Sequence, residues 1–483
     1  MRQSFFDGVL SIGVSKYFGF LVNFTVSVIL SRILTPSEFG TIAIAVSAST
    51  FLIILTELGV ATSIVQIKAL TQNYLNSLHS VMLIVGVLIG TALAFFSKKI
   101  GLFFNDNELT SVLLIFSLYT VFFSTQVVPK ATLNRNLEFL KIGYISITSH
   151  FFSAIVAIIM ALNGFGVYSL AAKYLIDALF ASLLFNFFSK CRITFTIDFK
   201  AVSIIYRYTS NQFLFNFVNF FGRNSDNILI GKFLGSSKLG LYDRAYQLMH
   251  IPNLLSTQVF NTVLHPILSK RSNNIDDIYI NYFKIFYIIS VFGFPISVLM
   301  FSTSHELITL IYGSQWSESI LIFKPLALSC GFQMAMSTTG PLFQSTGRTD
   351  ILLHTGLINT SVLILGIFSG IFLYGNIQGV ANMVLLSFII NYFITFKIVM
   401  NKIFKLELIK IIPHLKEAII FSILTALAIY LVESHINNFN SLYVALILKV
   451  AAALTTFIIF IILRKDSMTK KLMIEIKNGL SRK

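Results

Sequence analysis

One stretch of this chain carries a polar row that helix packing alone does not require. Gln212, Asn216, Asn219, Arg223 and Asp226 step by 4, 3, 4 and 3 residues, so a helix through them lines them along one face and leaves Phe and Leu on the others. A row of amides ending in a guanidinium and a carboxylate suits hydroxyl and phosphate groups. At about four turns it is too long for one satisfied contact. A weaker row, Ser15, Lys16, Gly19, Asn23 and Ser27, lies near the N-terminus, and Tyr246, His250, Asn253, Thr257, Asn261 and His265 follow the stronger one. Lys16 has no acid three or four residues away, which makes it a candidate ligand for an anion. Arg223 and Asp226 either neutralise each other or both meet a wet cavity. Lys173 and Asp177, four apart, read as an ion pair, and Lys449 reads as a snorkelling side chain. Glu57 is an isolated acid at comparable depth and the candidate for coupling to an ion.

Most covalent chemistry is excluded. There is no Walker A sequence, HExxH, GxSxG or CxxC, and the two cysteines, Cys191 and Cys330, stand far apart. The histidines do not pair at metal spacing, so neither a metal site nor an organic cofactor is expected, and a proton or sodium ion is the only auxiliary species implied. The loops between apolar blocks are too short for a catalytic domain, so the chain does not read as an enzyme.

The elements that must carry these side chains are membrane helices. The chain is 55% hydrophobic and 12% charged, with 49 Phe and a single Trp, and its mean hydropathy is +0.81. A hydrocarbon core of ~30 Å takes ~20 helical residues to cross. About fourteen blocks of that length occur, at roughly 9–31, 39–66, 80–104, 109–130, 141–163, 166–189, 208–231, 240–268, 281–303, 319–345, 350–373, 377–400, 414–432 and 441–463. The first block has Lys16 and Asn23 inside it and no small-residue cleavage site, so it reads as a span and not as a removable leader. Pro252 and Pro295 are expected to kink the eighth and ninth helices. The net charge of +16 sits in short loops, where it fixes orientation and does not point to nucleic acid. With the N-terminus inside, one side holds only Arg32, Lys98, Lys99, Lys232, Lys238 and Lys324, while most of the other cations fall on the cytoplasmic side, Arg135, Arg348 and the C-terminal tail included. Both termini are therefore expected in the cytoplasm.

A repeat organises the spans. Shifted by 200 residues, Arg32-Ile33-Leu34-x-x-Ser37-x-x-Gly40-x-x-x-x-Ala45 falls on Lys232-Phe233-Leu234-x-x-Ser237-x-x-Gly240-x-x-x-x-Ala245. Shifted by 213, Arg135 falls on Arg348, Gly143 on Gly356, and Gly166-Val167 on Gly379-Val380. Six spans per copy insert both copies with the same orientation, as in one class of secondary transporter. The expected build is an all-α integral membrane protein: a six-helix lobe over 1–200, a second over 201–402 about a central cavity, and two further helices with a basic tail over 403–483.

Two segments carry a family resemblance: ILSRILTPSEFGTIAIAVSASTFLIILTELGVATSIVQ at 29–66, and RNSDNILIGKFLGSSKLGLYDRAYQLMHIP at 223–252. They resemble the Wzx-type polysaccharide flippases, relatives of the multidrug extrusion and peptidoglycan-precursor flippases. The resemblance implies fourteen helices, two six-helix lobes, and movement of an undecaprenyl-diphosphate-linked oligosaccharide across the bacterial cytoplasmic membrane, with membrane lipids and other glycan-assembly membrane proteins as partners. On that reading Lys16 and Arg223 attract the diphosphate or acidic sugars and Asp226 orients Arg223. Asn23, Asn216, Asn219, Tyr246 and His250 bond sugar hydroxyls. Arg135 and Arg348 attract the headgroup or gate the inner mouth, while Glu57, Lys173 and Asp177 serve gating and coupling. A drug exporter of the same superfamily predicts a cavity dominated by acids; a glycan polymerase or ligase predicts large catalytic outward loops, which are absent.

Overall fold

A computed structural model describes residues 2–57, 59–67, 70–194, 198–269, 275–436 and 441–463, with side chains throughout except at 2–16, 199–216, 218, 257–267, 269, 436, 461 and 463. Among the described residues the chain is entirely helical. Its N-terminal part comprises α1 (Arg2–Ile33), α2 (Pro36–Glu57), α3 (Val60–Gln66), α4 (Gln72–Phe104), α5 (Asn107–Arg135), α6 (Phe139–Leu162), α7 (Val167–Phe188) and the long α8 (Phe199–Ser269). Then follow α9 (Ile275–Ser302), α10 (Ser304–Ile311), α11 (Ser317–Met336), α12 (Thr339–Ser345), α13 (Thr349–Tyr374), α14 (Ile377–Ile398), α15 (Ile412–Ile436) and α16 (Leu442–Leu463).

Among the described residues 11 helical segments are long and apolar enough to cross a bilayer. The expected first, seventh and eighth spans correspond to α1 and to the two arms of α8; their side chains are described only in part, and they fall outside that count. The break in α8 is at Gly235, whose φ of 87° and ψ of 167° lie outside helical space, and not at Pro252. Pro295 lies within α9, which continues through it.

Local chemistry sets the helix ends. The Thr71 hydroxyl accepts from the Tyr74 amide at the start of α4, Asp106 from the Leu109 amide at the start of α5, and Asn376 from the Gly379 amide at the start of α14. Asn105, left-handed with φ 53°, ends α4.

The chain falls into two compact units, Met1–Asp243 and Arg244–Lys483. Without a hydrophobic drive between helices in lipid, close packing comes from small residues that let backbones approach. In the first unit Gly86 and Gly90 of α4 lie directly against Ser124 and the Ser117 carbonyl of α5. In the second, Gly366 and Gly370 of α13 lie against Ser387 and Val380 of α14. The 213-residue shift puts Ser153 and Ala157 of α6 on Gly366 and Gly370, and both are small and buried. The two copies thus keep small, buried residues at the same positions.

The last two helices are integral to the second unit, with α15 packed on α9 and α16 on α15 and α10. Lys449 of α16 does not snorkel. It is 4% exposed, its ammonium lies 2.7 Å from Glu306 of α10 and 3.2 Å from Glu433 of α15, and it donates to the Ser302 carbonyl at 2.9 Å. An ammonium with a carboxylate and a carbonyl this close gains more by pairing than by reaching for the interface.

Candidate functional site

Within the first unit α1, α5 and α6 enclose a cavity of about 530 Å³. Its wall has an amide from each of two helices (Asn23 of α1 and Asn134 of α5), an ammonium (Lys130 of α5), a hydroxyl (Ser146 of α6) and an imidazole (His150 of α6). The backbone of Gly19 completes the α1 side and is close enough to His150 that a β-carbon there would touch the ring at 3.5 Å. Behind the wall, Asp177 of α7 holds His150: its carboxylate oxygen lies 2.7 Å from Nδ1. Glu57, at the end of α2, is half-buried and feels the Lys130 charge. Lys130 also lies 5.9 Å from the centre of the Phe185 ring. A cation, amides and an imidazole backed by a carboxylate suit a polyhydroxylated anion in this cavity.

The residues singled out from the sequence divide among several places. Asn23 faces this cavity and donates to the Gly19 carbonyl at 3.0 Å. Asp177 is taken by His150, while the Lys173 ammonium lies 5.9 Å from the Tyr174 ring centre. The side chains of Lys16 and Asn216 lie outside the described residues. Asn219 and Arg223 are exposed, and Asp226 is 9% exposed. Asp226 accepts from the Asn227 amide at 2.9 Å. No ion pair joins it to Arg223 among the described residues: Arg223 is exposed while Asp226 is buried. Tyr246 and His250, in the second unit, are half-buried and stack with ring centres 6.1 Å apart. Arg135 donates to the Leu70 carbonyl at 3.1 Å, tying the end of α5 to the start of α4. Its counterpart Arg348 is exposed and makes a two-pronged pair with Asp350, at 3.1 and 3.0 Å.

Three residues of the cavity, Lys130, Asn134 and His150, were not legible as site residues in the sequence. Lys130 and Asn134 are four apart on one helical face, which is a signal, but one that also fits a positively charged span end. His150 and Asp177 are brought together only by the pairing of α6 with α7.

The repeat produces a second feature. The turn between α1 and α2 packs on the elbow of α8 through matching positions. A β-carbon on Gly40 would strike the Ser236 carbonyl, and one on Gly240 would strike the Pro36 carbonyl. Under the 200-residue shift these are the same contact made twice, once in each direction. The Ser37 and Ser236 hydroxyls meet across it at 3.3 Å. Both segments belong to the first unit.

These features define a multi-pass helical membrane protein with an internal sequence repeat and a cavity bearing polar side chains. The family follows from sequence. Residues 29–321 match the family model for polysaccharide biosynthesis proteins, more than half of the 483 residues, and the chain belongs to that family. It is 22% identical over 383 residues to the lipopolysaccharide biosynthesis protein WzxC of Escherichia coli, covering 78% of each chain. It is 25% identical over 366 residues to the succinoglycan biosynthesis transport protein ExoT of Rhizobium meliloti, covering 76% of this chain and 73% of the other. It is 23% identical over 340 residues to the teichuronic acid biosynthesis protein TuaB of Bacillus subtilis, covering 68% of each. Among solved structures its fold is similar to the lipid II flippase MurJ in an inward closed conformation, with a TM-score of 0.73 at 16% identity over 94% of this chain and 99% of the other. An inward-facing multidrug resistance MATE family transporter aligns with a TM-score of 0.60 at 14% identity, over 81% of this chain and 96% of the other.

Proposed function

We propose that the chain is a flippase that carries an undecaprenyl-diphosphate-linked oligosaccharide from the cytoplasmic to the outer leaflet of the bacterial cytoplasmic membrane by alternating access, as a transporter and not an enzyme. The observation that carries this reading is the polar cavity of the first unit, where Lys130, Asn23, Asn134 and His150 converge on one space. A sugar diphosphate offers this wall negative charge and hydroxyls together, and its lipid tail can remain in the bilayer.

Both termini face the cytoplasm in this scheme, and the lobes follow the repeat. The Gly40–Gly240 contact then closes the outer end and must part to release the headgroup. Lys16 and Arg223 draw in the diphosphate, with Asn216, Asn219, Tyr246 and His250 contributing to the headgroup's path. Arg348, exposed at the cytoplasmic end, attracts the incoming anion, and Arg135 holds the matching end of the first unit. His150 and Asp177, with Glu57 and Lys173, form the protonatable group through which a proton or sodium gradient drives the cycle. Binding of the coupling ion at this group changes the net charge facing the cavity, which favours one access state over the other.

Deletion of the gene tests the function. The full lipid-linked repeat unit is expected to accumulate with its headgroup on the cytoplasmic leaflet while surface glycan disappears. Continued outer-leaflet delivery, or accumulation of unpolymerised units already on the outer leaflet, would contradict the reading; the second result would point to a polymerase.

A further inference from the structure

We infer that the first unit carries a binding site for one acyl chain of an anionic phospholipid, in an apolar trough between α2, α4 and the first arm of α8 with lysines at one end. Two adjacent cavities of about 450 and 280 Å³ share Ala48, Phe51, Phe103 and Phe104 in their walls and together make up the trough. Its far end is walled by Ala92 of α4 and Phe221 of α8. From Ala92 to Phe104 the wall runs about 18 Å along α4 at ~1.5 Å per residue. That is the depth of one leaflet of a ~30 Å core. A phospholipid acyl chain fits that length, whereas a polyprenyl chain long enough to cross the bilayer does not.

The charge sits where a headgroup would sit. Lys99 lines the trough and lies 5.5 Å from the Phe96 ring centre. The Lys232 ammonium lies 4.3 Å from the Phe103 ring centre and donates to the Phe103 carbonyl at 2.6 Å. An ammonium has three donors, so two remain for a phosphate. Two acids of the neighbouring turns have hydrogen-bond partners of their own. Glu38 accepts from the Thr35 amide and hydroxyl at 2.6 and 2.8 Å, and Asp106 from the Thr41 hydroxyl at 2.5 Å. The trough is also open: Phe96, Phe103 and Phe221 are 46%, 52% and 39% exposed, a run of aromatic surface that an acyl chain would cover. The site stands on the first unit alone and is independent of what the protein transports.

Native mass spectrometry of the whole protein, released from detergent and titrated with phosphatidylglycerol or phosphatidylethanolamine of matched chains, tests the site. The wild type is expected to retain one tightly held lipid and to prefer phosphatidylglycerol at least fivefold. Ala48→Phe, which fills the trough, is expected to lose that lipid. Lys99→Gln/Lys232→Gln is expected to keep it but lose the headgroup preference. Ala92→Leu fills the far end more gently and serves if Ala48→Phe does not fold. Equal lipid retention and equal preference in the wild type and the folded variants would overturn the proposal and leave Lys232 as a cap on the last turn of α4. Displacement of the retained lipid by a polyprenyl diphosphate, lost in turn from the filled variants, would also overturn it, because the occupant would then be the isoprenoid.

Discussion

His150 Nδ1 lies 2.7 Å from the Asp177 carboxylate, across the interface of α6 and α7, with the rest of the imidazole on the wall of the polar cavity. Replacing either partner leaves the other half-buried without its hydrogen bond. His150→Ala and Asp177→Asn are each expected to cut glycan export at least tenfold at unchanged protein level. The double variant is expected to be no worse than either single, since the two act as a unit. Export by lipid-linked repeat-unit assay checks this; additive losses would mean the two serve separate roles.

The Gly40–Ser236 and Gly240–Pro36 approaches leave no room for a β-carbon. Gly40→Ala and Gly240→Ala are expected to disfavour the closed contact by about 1–3 kcal/mol, as overpacking does. At 1.4 kcal/mol per tenfold, that shifts the access equilibrium several-fold to over a hundredfold. Thiol labelling of a cysteine placed at Ser146 on the cavity wall reads the shift. Labelling unchanged by both variants would show that this contact does not govern access.

Lys449 and Glu306 are both almost fully buried, with side chains 5% and 6% exposed. Lys449→Met alone strands the Glu306 carboxylate, and breaking a buried pair in this way costs about 3–5 kcal/mol. Lys449→Met/Glu306→Leu removes both charges and is expected to recover most of the stability. Thermal unfolding in detergent distinguishes these; a single variant as stable as the double would mean that water reaches Glu306.

Burial pushes the Cys191 thiol up, outweighing the hydrogen bonds it has with Thr132 and Ser189. The native chain therefore keeps this proton when the unfolded chain, near the ordinary thiol value of ~8.5, has begun to lose it. The stability this supplies is whole below that value and declines above it. In a Cys330→Ala background, maleimide labelling of the native protein at pH 8 is expected to be at least tenfold slower than of the unfolded chain. Equal rates would contradict the burial.

The helical class, the turns and the repeat were legible because each rests on a local signal: apolar runs, and Ser37…Gly40 recurring as Ser237…Gly240. The repeat was legible as a pattern, but its physical use was not. That the two copies pack on each other, Gly40 on Ser236 and Gly240 on Pro36, follows only from the fold. Pairings between helices were least legible. Spacing along one helix suggested Lys173 with Asp177 and Arg223 with Asp226, whereas Asp177 is held by His150 and Asp226 by the Asn227 amide. An i,i+3 or i,i+4 offset makes a pair possible; a neighbouring helix with a closer donor takes the acid instead. Lys449 was misread for the same reason, its partner Glu306 being 143 residues earlier in the chain.

Alternating access at the glycine contact is the central claim, and a reversible lock tests it most directly. The Ser37 and Ser236 hydroxyls meet at 3.3 Å, so cysteine thiols at those positions face each other across the contact. In a Cys191→Ser/Cys330→Ala background reconstituted into vesicles, oxidised Ser37→Cys/Ser236→Cys protein is expected to stop moving the lipid-linked oligosaccharide, and reduction is expected to restore it. Undiminished transport by fully cross-linked protein would contradict the account.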